Sequence, residues 1–83
     1  MSIKMAIASA GKNLHTIILV AREMDGSIET REAEPYSYRL ANGKEYFYCY
    51  DIRKQGTRRF LVSNIISVEE TNHSFTPRWP VEV

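Results

Sequence analysis

Two dipeptides, Asp25-Gly26 and Asn42-Gly43, each stand between runs of β-branched and aromatic residues, and they restrict the fold more than any other feature of the chain. Asp-Gly and Asn-Gly supply the positive φ that two-residue hairpin turns need, so each predicts a pair of antiparallel strands. Before the first lies "LHTIILVARE", a strand from about Leu14 to Glu23, and after it the weaker, acidic "SIETREAEPY" reads as a returning strand. Pro35 limits ladder bonding there and predicts a bend. "YSYRLANGKEYFYCYDIRK" gives two strands around Asn42-Gly43, Gly56 marks the next turn, and "RRFLV" and "IISVEET" are separated by a tight or helical turn at Ser63-Asn64.

Ahead of the strands, Ile3, Ala6, Ile7 and Ala10 recur at the spacing of an amphipathic helix, with Ser2 as its cap and Gly11 as its end. About six short strands within 83 residues leave vulnerable edges unless the sheet curls on itself. The expected fold is therefore mainly β with one short N-terminal helix, a small Sm-like or SH3-like antiparallel β-barrel. It forms a single domain over 1–83: helix 1–11, barrel 12–71, and an extended tail 72–83 pinned by Phe75 and Trp79.

In "EYFYCYD" the period of a strand puts Tyr46, Tyr48 and Tyr50 on one face and Phe47, Cys49 and Asp51 on the other. If Phe47 and Cys49 point inward, the tyrosines point outward and Asp51 lies at a wet end. The reverse would bury three hydroxyls, each costing about 1–3 kcal/mol if left unpaired. A third arrangement lays the helix stripe over part of the tyrosine face.

Charge is uneven although the net is +1: residues 23–34 hold five acids against Arg31, and residues 38–59 hold six cations against Glu45 and Asp51. Cations interleaved with tyrosines suit ligands carrying phosphates and rings, whereas the bland alternative is a pair of solvated hairpin ends. No apolar run approaches the roughly 20 residues that cross a bilayer. One cysteine, Cys49, allows no internal disulfide, and with no convincing signal peptide the chain is expected in the cytoplasm. His15 and His73 lack the spacing of a zinc site, the glycines are isolated, and Ser63 and Ser74 have no evident base. Neither a metal, a cofactor nor an enzyme activity is expected.

With the strands in place, "TIILVARE", "EAEPYSY", "NGKEYFYCYD", "RRFLVSNIISVEET" and "FTPRWP" occur in an order that resembles the WYL domain, from about Met1 to Pro80. The resemblance implies a helix followed by an Sm-like barrel, and a sensor that binds nucleic acid fragments or nucleotide-like ligands to adjust an effector. Glu45 stands at the name-giving Trp position, Tyr46 keeps the Tyr, and Phe47 replaces Leu. Arg58 stands at the family's first arginine before the core Phe60, while Leu61 and Asn64 replace two further arginines. No helix-turn-helix precedes the module. The chain is thus expected to be a free-standing WYL-like protein or a piece of a longer regulator.

Two functions remain open. A ligand-sensing module would stack single-stranded nucleic acid or a nucleotide on Tyr46, with Arg58, Arg59 and Arg53 meeting phosphate and Arg39 and Tyr36 as further ligand-binding candidates. A protein-interaction or self-association module would act through a strand edge or the aromatic tail around Phe75 and Trp79.

Overall fold

The computed structural model describes residues 2–83. Helix α1 spans Ile3–Asn13, followed by β1 (His15–Arg22), β2 (Ile28–Ala41), β3 (Lys44–Asp51), β4 (Gly56–Leu61), a 3-10 turn (Val62–Asn64) and β5 (Ile65–Ser74). All pairings are antiparallel, and the strands lie in the order β4-β3-β2-β1-β5. No ladder joins β4 to β5, so this is an open five-stranded sheet, and the expected closure into a barrel is not formed by backbone pairing. The 3-10 turn after β4 carries the chain to the far edge of the sheet, beside β1.

Three local expectations are corrected. First, "SIETREAEPY" and "YSYRLA" are one strand of 14 residues, and the bend at Pro35 is a bulge in the β2–β3 register between Pro35 and Ser37. The β1 ladder ends at Ala33, so the missing N–H of Pro35 costs no bond on that side. Second, the Asp25-Gly26 hairpin turns over five residues rather than two: the Glu23 N–H donates to the Ser27 carbonyl (2.7 Å), and Asp25 Oδ1 accepts from the Ser27 amide and hydroxyl. Asn42-Gly43 does form the two-residue turn, with both φ values positive and Ala41 opposite Lys44. Third, the left-handed residue before β4 is Gln55, at φ 58, and not Gly56.

Ser2 caps α1 by accepting the Met5 amide (3.1 Å), but the helix continues through Gly11 to Asn13 and ends on left-handed Leu14. Gly11 has another use: a Cβ there would collide with Val83, so the tail lies directly on the helix backbone. The helix stripe buries Ala6, Ile7 and Ala10 against Ile17, Leu19, Ala33, Phe47, Cys49 and Ile65. This settles the direction of β3. Phe47 and Cys49 point into the core under α1, and the three tyrosines face away from it, each half-buried. The helix therefore covers the face opposite the tyrosines.

Carboxylates tie this layer together. Glu70 on β5 accepts from Ser9 (2.6 Å) and Asn13 (2.9 Å) of α1, with His15 Nδ1 at 2.7 Å. Glu32 on β2 accepts from Thr16 (2.6 Å), with His73 Nδ1 at 2.8 Å. These bonds, the Ser9 bond first for Glu70 and the Thr16 bond first for Glu32, hold both carboxyls below their ordinary value of 4.5. A carboxyl depressed in the folded state adds stability above its unfolded value and loses it as pH falls through the folded one. The urea midpoint is thus expected to fall progressively below about pH 4.5, and Glu70→Gln to flatten that fall; a variant with an unchanged acid profile would contradict the assignment.

Candidate functional site

The outer face of the sheet is built by register. Opposite Tyr46 lie Arg39 on β2 and Leu61 on β4; opposite Tyr48 lie Ser37 and Arg59; opposite Tyr50 lie Glu34 and Thr57. Residues directly across a ladder stand about 5 Å apart, so Arg39 and Arg59 flank the Tyr46–Tyr48 pair from two sides, on the order of 10 Å from one another. Both are exposed, and among the described residues neither enters an ion pair. The Arg59 guanidinium lies over the Tyr46 ring, 4.4 Å from its centroid, and the neighbouring Tyr48 hydroxyl raises its pKa. Between β2, β3 and the tail is a hollow of about 520 Å³ bounded by Ser37, Arg39, Tyr48, Thr57, Trp79 and Glu82.

Arg39 lines this hollow, whereas Tyr46 and Arg59 border a separate depression with Met24, Leu61 and Asn64. Arg53 is exposed in the β3–β4 turn, away from this hollow's lining. Tyr36 lies at the β2 bulge, 5% exposed; its hydroxyl donates to Glu34 (2.6 Å) and accepts from the Arg78 amide (3.0 Å). Burial, with the Glu34 bond, pushes that phenol up to about 12, so it stays protonated as a donor. It edges the hollow but is committed to holding the tail.

Arg58 projects to the inner side with Phe60, whose ring lies 4.6 Å below the guanidinium. It pairs with Glu23 (2.7 Å), Glu29 (3.1 Å) and Asp51 (3.6 Å), while Arg31 also reaches Glu29 (2.7 Å) and Asp51 (3.2 Å). Asp51, expected at a wet end, is 1% exposed, and its Oδ1 accepts the Lys54 amide. Acidic and basic hairpins thus meet within one molecule. This cluster joins the β1–β2 and β3–β4 turns.

Tail residues are the part of the site that sequence reasoning placed least well. Arg78 stacks on Tyr50 at 3.8 Å and pairs with buried Glu34 (3.2 Å), while Trp79 meets Tyr36 edge-on at 5.1 Å and Tyr50 at 6.3 Å. Arg78 and Trp79 alternate a cation with an aromatic ring, and that was the signal available for them. Cys49 adds no reactivity: burial, with the Asp51 charge, pushes its thiol up to about 12 and keeps it protonated. Among the described residues no group of His, Cys, Asp and Glu could hold a metal ion, and no helix is long and apolar enough to cross a membrane.

Neither a family model nor a curated protein matches the chain. Among solved structures, proteasome accessory factor B/C (PafBC) of Arthrobacter aurescens matches 94% of this chain with a TM-score of 0.77 and 19% identity. The chain spans 13% of the length of that protein. The likeness shows a shared fold of one helix and antiparallel strands.

Proposed function

We propose that the domain is a non-catalytic regulatory module whose outer face binds a ligand with an aromatic ring and a phosphate, either a nucleotide or short single-stranded nucleic acid. The observation that carries this reading is the placement of two exposed arginines outside any ion pair among the described residues, Arg39 and Arg59, with the tyrosines between them. Cations meet the backbone and ring faces meet the bases, which is how strand-binding surfaces gain affinity without reading sequence. PafBC, as a proteasome accessory factor, lends a regulatory setting by analogy of fold alone. Arg53 lies in the β3–β4 turn outside this face, and Arg58 serves the fold.

A residue-resolved NMR titration with 5′-phosphorylated tetrathymidylate is expected to shift Tyr46, Tyr48, Arg39 and Arg59. Arg59→Ala should weaken binding and reduce the slope of log affinity against log salt by about 1. Unchanged affinity and slope would refute the role of that arginine.

The interaction-module reading retains the free edges of β4 and β5 and the exposed part of Trp79, although that ring already packs on Tyr36 and Tyr50. A concentration-independent sedimentation coefficient would remove its self-association form.

A further inference from the structure

The tail connects two places that the sheet keeps apart. It leaves β5 with the Phe75 amide donating to the Leu14 carbonyl (3.0 Å) and crosses the outer face as Arg78 and Trp79. It then rounds the β2 bulge, where the Glu82 amide donates to the Tyr36 carbonyl (2.7 Å), and ends with Val81 and Val83 against Gly11 on the helix side. Tyr36 holds it at two points, through its hydroxyl and its carbonyl. Residues 75–83 form no helix or strand, so these isolated bonds, the Arg78–Glu34 pair, the contacts of Phe75, Arg78 and Trp79 with Tyr36 and Tyr50, and the two valines are what keep the segment down. Trp79, Pro80 and Glu82 are at the same time a wall of the 520 Å³ hollow.

We propose that the hollow and the valine seat on Gly11 are coupled through the tail, so that a ligand resting against Trp79 tightens the tail on α1 and the state of α1 sets affinity at the hollow. The proposal rests on the ligand reading above and adds its route of regulation. A ligand touching three tail residues binds the docked tail better than a lifted one and shifts the population toward docking. By reciprocity, anything that lifts the valines weakens the ligand. Gly11 is the place to apply this, because it lies outside the hollow and inside a helix, where alanine favours the helix and only the tail is displaced.

The experiment compares wild type, Gly11→Ala and the double variant Gly11→Ala/Val83→Ala in the full chain, titrated with 5′-phosphorylated tetrathymidylate while the Trp79 indole resonance is followed. Gly11→Ala should move the Trp79 resonance without ligand and raise Kd about fivefold or more, and the double variant should restore both. A Trp79 resonance unmoved by Gly11→Ala, or an unchanged Kd, would overturn the coupling and leave the binding site standing. Failure of the wild type to bind the probe would overturn the ligand reading and this proposal with it.

Discussion

Arg58→Ala is expected to lower the unfolding free energy by about 3 kcal/mol, although an arginine beside a strand of tyrosines looks like a ligand residue. Its guanidinium bridges Glu23, Glu29 and Asp51, and removing it leaves Glu29 and Asp51 sharing Arg31 and Glu23 with no ion-pair partner among the described residues. Breaking one member of a buried ionic group costs roughly 3–5 kcal/mol, and the low end applies because Glu23 and Glu29 keep some access to water. Arg58→Lys should recover little, since one ammonium cannot reach three acceptors in fork geometry. Urea unfolding measures the loss, and an unchanged midpoint would show that the cluster is electrostatically idle. Under folding conditions the same variant should bind ligand as wild type does.

The second large effect is Phe47→Ala. Phe47 is fully buried between α1 and the sheet, and truncating a core phenylalanine costs about 3–5 kcal/mol. Total stability at this size is on the order of 4–12 kcal/mol, so the variant should lose most of its amide dispersion at 25 °C or unfold near it. Tyr48→Ala, one residue along and outward, should cost about 1 kcal/mol. Comparable losses for the two would place the tyrosines in the core.

How far the sequence carried these conclusions differs by element. Alternation in "EYFYCYD" is strict and separates the tyrosines from Phe47 and Cys49, but it left open which set faces the core, and the packing of α1 decides that. The cap at Ser2, the Asn42-Gly43 turn and the helical break at Ser63-Asn64 also followed from local chemistry. Pro35 misled because a proline's cost depends on which neighbour lies on its N–H side, and that is a property of the ladder. Gly11 misled for a related reason: glycine ends helices, but it also admits a close neighbour, and the neighbour came from the other end of the chain. For the arginines, Arg58 and Arg59 are adjacent in sequence and opposite in fate. Strand alternation separates them, but only the register with Cys49 and Tyr48 decides which one meets the acids and which one meets solvent. Long-range pairing of that kind left no local mark, so the tail's place across the tyrosines and under Tyr36 was equally hidden.

One further consequence follows from the length of β2. Its first half pairs with β1 and its second half with β3, the two ladders meeting at Ala33, so beyond Ala33 the edge that faced β1 is left without a strand. The tail lies along the start of that bare edge, donating from Glu82 to the Tyr36 carbonyl as a neighbouring strand would. An unpaired strand edge is a template for addition of a second chain and for aggregation. The tail is therefore also a guard of that edge: a molecule whose tail is lifted offers its neighbours a row of unsatisfied backbone groups along β2.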